Sequence, residues 1–146
     1  MFWGRKKRDQ ARDLRRDRDE LNAMAAELLR LAPFDFDEGS PLQQALLGAF
    51  FFGMLTAHGM AARMSPIEVH ALALSTFQDS LHYTPTAAVQ GVQACIDAAA
   101  PGVHDTMNAI LHRGIDGHAQ FIAGDIDGLA GNLRSMLDIF GAAEPS

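Results

Sequence analysis

Only one cysteine, Cys95, occurs in the 146 residues, so no disulfide can form within the chain. This fits a reducing cytosol. Cys95 stands between Ala94 and Ile96 and reads as a small buried apolar residue. A catalytic thiol would need a base nearby in space, which the sequence cannot show. Tryptophan and tyrosine occur once each, and valine is scarce. These residues are favoured in strands. The hydrophobic residues make up 48% of the chain and are mainly Ala, Leu, Met and Phe, a composition suited to helices. The glycine-rich dinucleotide fingerprint, the phosphate-binding P-loop and the G-x-S-x-G nucleophile elbow are all missing, which weighs against the common enzyme classes that use them. No apolar core of a signal peptide follows Phe2, Trp3 and the basic Arg5, Lys6, Lys7 and Arg8, so the expected location is the cytoplasm. One uncharged stretch, residues 39–62, is long enough to span a bilayer. Gln43, Gln44, Thr56 and His58 interrupt it, and it reads instead as a central core helix.

At this length the chain is about one domain and can bury roughly two thirds of its unfolded surface. The expected fold is all-α, a compact bundle of about six helices. Three helix starts share one signature. Ser40-Pro41, Ser65-Pro66 and Thr84-Pro85 each put a hydroxyl at the N-cap and proline at the first helical position. Gln43 and Glu68 complete capping boxes after Ser40 and Ser65.

The first helix is expected over residues 9–31, with Leu14, Leu21, Met24, Leu28 and Leu31 inward. Its early charges, Asp9, Asp13 and Asp17 beside Arg8, Arg12 and Arg16, read as a solvated end with Asp9–Arg12 and Asp13–Arg16 pairs. The second, over 42–62, carries Ala45, Ala49, Gly53, Ala57 and Ala61 every four residues. That ridge lets another backbone come close, and the helix, apolar nearly all round, belongs at the centre. The third covers 66–82 with Ile67, Ala71, Leu74, Phe77 and Leu81 on one face. The fourth covers 85–99 with Ala88, Val92, Ile96 and Ala99 inward. A fifth uses Val103, Met107, Ile110 and Leu111, with Gly114 and Gly117 as candidate breaks before a shorter piece over 115–123. The sixth covers 125–140, with Asp125 as N-cap and Ile126, Leu129, Leu133, Leu137 and Phe140 on one stripe.

The net charge of −6 hides two opposite parts. Residues 1–18, a basic arm running into the first helix, hold eight Arg or Lys against three Asp, a net of +5. Residues 19–146, the acidic all-helical domain, hold four Arg against fifteen Asp or Glu, a net of −11. Such a body repels phosphates, which argues against nucleic acid as the main partner. It attracts a basic protein surface. Phe34-Asp35-Phe36-Asp37-Glu38 interleaves aromatics and acids on a loop. It reads as an interface with aromatic anchors, or as a staple in which Phe34 or Phe36 packs on the core.

Chemical motifs are sparse. His104-Asp105 echoes a ligand pair of metal phosphohydrolases, which also need an upstream His and a downstream Asp. His58, His70 or His82 and Asp125 or Asp127 would have to supply them. Asp125-Ile126-Asp127-Gly128 lacks most of a calcium loop, including its position-twelve glutamate. No cofactor, metal or catalytic residue is expected.

Four segments carry a resemblance. They are Met1-Phe2-Trp3-Gly4-Arg5-Lys6-Lys7-Arg8, Gln44-Ala45-Leu46-Leu47-Gly48-Ala49-Phe50-Phe51-Phe52-Gly53, Ser65-Pro66-Ile67-Glu68-Val69-His70-Ala71, and Gly114-Ile115-Asp116-Gly117-His118-Ala119 followed by Gly124-Asp125. Together they are similar to all-helical immunity proteins of bacterial polymorphic toxin systems. The resemblance implies a small protein that binds and neutralises a cognate toxin, without catalytic residues. The expected contact is the 34–38 loop, Phe34, Asp35, Phe36, Asp37 and Glu38, joined by Asp116, Asp125 and Asp127. Two other readings compete. One is a peripheral membrane or scaffold protein docked through residues 1–18, where Phe2 and Trp3 flank basic side chains that suit anionic lipid. The other is a helical metal-dependent hydrolase.

Overall fold

The hydroxyl-proline signatures become helix starts as written. In the computed structural model, which describes residues 13–141, Ser40 Oγ accepts from the Gln43 backbone N–H at 3.1 Å, and the Ser40 N–H donates to Gln43 Oε1 at 2.9 Å. Ser65 and Glu68 form the same reciprocal pair at 3.2 and 2.8 Å, and Thr84 Oγ1 accepts from Ala87 at 3.1 Å. These residues saturate N–H groups that a helix start leaves open.

Among the described residues the elements are six α-helices: α1 Arg15–Leu31, α2 Pro41–Ala61, α3 Pro66–Asp79, α4 Pro85–Ala99, α5 Asp105–Ile122 and α6 Ile126–Gly141. No strand occurs among those residues, and the fold is an all-α bundle. Residues 1–12 of the expected basic arm, and the expected helix start at Asp9, lie outside the described residues.

Helix α2 forms the centre. Leu46 to Leu55 are buried without interruption. By length and apolarity α2 resembles a membrane span, yet 67% of that window is buried inside the bundle, as a core helix requires. Its main partner is α5. Ala49 and Met107 flank one groove, and His58 and His118 meet further along, so the two helices run in the same direction. They approach closely where both lack side chains, at Gly53 and Gly114.

That contact corrects one expectation. Gly114 and Gly117 do not break the fifth helix, because α5 is continuous through both. A Cβ on Gly114 would stand 2.1 Å from the Phe50 carbonyl oxygen, and one on Gly117 would stand 2.8 Å from the Phe50 ring. These glycines serve packing, which outweighs the propensity cost of about 1 kcal/mol each.

The inward faces also shift. On α3 the buried residues are Leu72, Ala73, Thr76 and Phe77, while Ile67 is 82% exposed and Ala71 faces solvent. Thr76 can face inward because its hydroxyl donates to the Leu72 carbonyl at 2.8 Å. Helix α3 ends at Asp79 rather than His82. His82 adopts a left-handed φ of 58°, and the Tyr83 N–H donates back to the Phe77 carbonyl at 3.0 Å. On α4, Cys95 and Ala98 turn inward with Ala88 and Val92, and Ile96 and Ala99 face out. Val103 precedes α5 and is exposed. Helix α1 buries Leu21, Met24, Ala25 and Leu28, and α6 buries Leu129, Leu133 and Met136.

Candidate partner-binding surface

The 34–38 loop joins α1 to α2 and is organised by its own side chains. Asp35 Oδ1 accepts from the backbone N–H groups of Asp37 at 3.0 Å and Glu38 at 3.4 Å, the local turn that aspartate favours. Phe36 is not a solvent-facing anchor. It is 8% exposed, its ring stacks 6.4 Å from Tyr83, and its carbonyl accepts from Gln44 Nε2 at 2.8 Å. The staple reading therefore holds for Phe36. Phe34 is half-buried and lines a cleft of about 320 Å³ with Leu46, Leu137 and Asp138. Asp35, Asp37 and Glu38 are exposed, and Asp37 Oδ1 lies 3.1 Å from His82 Nδ1.

A groove of about 580 Å³ opens on the other side of the loop, between α2 and α4. Asp37, His82, Tyr83, Gln44, Gly48 and Cys95 are among its walls, and among the described residues no lysine or arginine lines it. Burial pushes the Tyr83 hydroxyl up to about 12, with the neighbouring Cys95 adding to the effect. Burial also pushes the Cys95 thiol up to about 12. Cys95 is thus a protonated, buried thiol rather than a nucleophile.

The remaining acids stand elsewhere. Asp125 Oδ1 accepts from the Gly128 N–H at 2.9 Å and caps α6, as expected. Asp127 is exposed in the first turn of α6, and Asp116 is exposed on α5. Asp127 and Asp138 are eleven positions apart on α6, or about 16 Å along its axis. The fold therefore does not gather Asp125 and Asp127 around Phe34. It brings Asp138 there instead, across a sequence gap that no local pattern signals.

A second polar cluster joins α1 to α2. Asp17, expected on a solvated charged face, is only 6% exposed, and its Oδ1 lies 2.8 Å from Nε2 of buried His58. Glu20 Oε2 lies 3.7 Å from His58 Nδ1, and the His118 ring stands edge-on to His58 at 6.1 Å. Burial holds the His118 pKa below its ordinary value, and His58 adds to this. The expected charge pairs also rearrange: Asp13 binds Arg15, and Arg16 reaches Glu20 at 3.5 Å. The legible signal was the i,i+3 spacing of Asp17 and Glu20, while the His58 partner came from 41 residues away. His104, half of the phosphohydrolase echo, accepts from the Met107 N–H through Nδ1 at 3.1 Å and serves as the N-cap of α5.

No curated protein and no solved structure matches the chain. The model of one family, described as Immunity protein 48, matches residues 18–141. That span runs from the first turn of α1 to the last residue of α6, so the chain belongs to the Immunity protein 48 family.

Proposed function

We propose that the protein neutralises a cognate toxin in the cytoplasm by binding it directly, and that it performs no catalysis. The observation that carries the reading is the surface around the 34–38 loop. Exposed Asp35, Asp37 and Glu38 lie on the same loop as half-buried Phe34, and exposed Asp138 lines a cleft with it. Among the described residues, no lysine or arginine lines the two clefts that flank the loop. Acids around an aromatic suit a basic partner surface, since complementary charge steers encounter and an aromatic gives the contact hold. The net −11 of residues 19–146 adds long-range attraction.

The test is co-expression in bacteria with toxin domains encoded beside the gene, scored by rescue of growth, with the purified pair then measured for binding. Growth rescue by the native chain, lost in Asp35→Lys with Asp37→Lys while the fold is kept, supports the reading. Rescue that survives this double reversal moves the contact away from the loop.

A further inference from the structure

We propose that Asp17, Glu20 and His58 form a binding site for a divalent transition-metal ion, Zn²⁺ or a similar cation, that ties α1 to α2. The reading is independent of any toxin contact. Asp17 and Glu20 stand one turn apart on α1, and His58 comes from α2. One ligand atom from each of the three lies within 4.8 Å of the other two. The side chains of His58 and Asp17 are only 8% and 9% exposed, so the fold holds two of the three donors in place. Glu20 is about half exposed, at 47%, and is the side chain with room to move.

The geometry suits a small dication. Zinc holds nitrogen and oxygen ligands at about 2.0–2.2 Å, which sets them roughly 3.4 Å apart around a tetrahedron. Separations of up to 4.8 Å close to that distance with shifts of about 1 Å or less at each atom, and the 2.8 Å Asp17–His58 contact opens by about half an ångström. Glu20 Oε1 takes Arg16, and its Oε2 lies 3.7 Å from His58 Nδ1 whereas Asp17 meets Nε2, so the half-exposed Glu20 side chain swings to the Nε2 side to share the ion. A cleft of about 440 Å³, walled by Asp13, Arg16, His118 and Ile122 among others, reaches the cluster and supplies a path for the ion.

The donor set narrows the choice of ion. One imidazole with two carboxylates suits zinc and its transition-metal neighbours, whereas calcium and magnesium prefer oxygen alone. Two like charges at i,i+3 on one helix repel, and a dication neutralises both. Three protein ligands leave a fourth position for water.

The test uses the full chain, freed of any tag and dialysed against chelator. Zn²⁺ is titrated by calorimetry, Co²⁺ is followed by its visible absorption, and melting is recorded with and without Zn²⁺. The expected result is saturable one-to-one binding, a cobalt spectrum of low-symmetry four- or five-coordination, and a higher melting temperature with Zn²⁺. Glu20→Gln keeps a half-exposed side chain of the same size, so it tests the site without threatening the fold. It should weaken Zn²⁺ binding by about tenfold or more and remove the thermal shift. His112→Ala, on the exposed face of α5, should leave binding unchanged. No saturable binding, or binding indifferent to Glu20→Gln, overturns the proposal and leaves Asp17 and His58 as a buried hydrogen-bonded pair.

Discussion

Gly53 and Gly114 face each other where α2 crosses α5, with no space for a side chain on either. A Cβ on Gly53 would stand 2.1 Å from the Leu111 carbonyl oxygen and 2.9 Å from the Gly114 Cα. The obstacle is backbone, which a rotamer change cannot move aside. Gly53→Leu should therefore cost about 1–3 kcal/mol or more by overpacking. Even Gly53→Ala should lower the melting temperature, because the first carbon added already collides. Thermal melts followed by circular dichroism check this. An unchanged melting temperature for Gly53→Leu would remove α2 from the packed centre.

The helix starts and the central place of α2 were legible because both are local. Ser40, Ser65 and Thr84 cap their own helices, and an apolar run such as Leu46 to Leu55 has nowhere to go but inside. The ridge of small residues also pointed correctly to a close approach at Gly53. Its partner glycines on α5 were read as breaks, because a glycine looks the same in sequence whether it ends a helix or makes room for a neighbour. The phase of α3 was missed for a related reason. Thr76 counted as polar, yet it satisfies itself on Leu72 and turns inward. At the candidate sites, the 34–38 loop was legible as a string of aromatics and acids. The burial of Phe36 under Tyr83 and the pairing of Asp17 with His58 depend on residues more than forty positions away, and no spacing announces them.

Cys95 and Tyr83 give the fold an alkaline limit. Both have their pKa pushed up to about 12 by burial, so the folded state favours their protonated forms. Their contribution is fully present below the unfolded values, about 8.5 for cysteine and 10 for tyrosine, and is lost as pH rises toward 12. Denaturant midpoints should fall across that window, and the fall should be shallower in Cys95→Ala with Tyr83→Phe. At pH 8 the native thiol should also react with an alkylating reagent about a thousandfold more slowly than the unfolded chain, in line with its smaller thiolate fraction. Equal rates with and without denaturant would contradict the buried placement of Cys95.

Phe36 should act on stability before it acts on any partner. Its ring is buried against Tyr83 and its carbonyl holds Gln44. Truncation of a buried phenylalanine typically costs about 3–5 kcal/mol, and at this edge of the core the lower end is expected for Phe36→Ala. Urea unfolding of that variant gives the figure directly. Wild-type stability would mean that the loop is not anchored by this ring.

Charge and apolar contact at the loop should separate in binding kinetics. Asp35, Asp37 and Glu38 are exposed, and Asp37 already meets His82 at 3.1 Å. Attraction between exposed charges acts over a Debye length of about 8 Å at physiological ionic strength, and salt weakens it. It changes mainly the rate of encounter. Asp35→Lys with Asp37→Lys should therefore slow association with the toxin by about tenfold or more at low salt, and it should flatten the dependence of that rate on salt. Asp35 also caps its own turn through the Asp37 and Glu38 N–H groups, so loss of binding in this variant has two sources. Asp37→Lys with Asp138→Lys reverses one acid of the loop and the acid that shares the Phe34 cleft while leaving the Asp35 cap in place, and it should slow association similarly. Phe34→Ala, in contrast, should leave association nearly unchanged and speed dissociation, because a half-buried ring at the contact holds the complex rather than steering it. Stopped-flow measurements against salt, with a melt of each variant as control, decide between these effects. Association rates that ignore both salt and the two double reversals would show that the acids around the loop do not steer the proposed toxin partner.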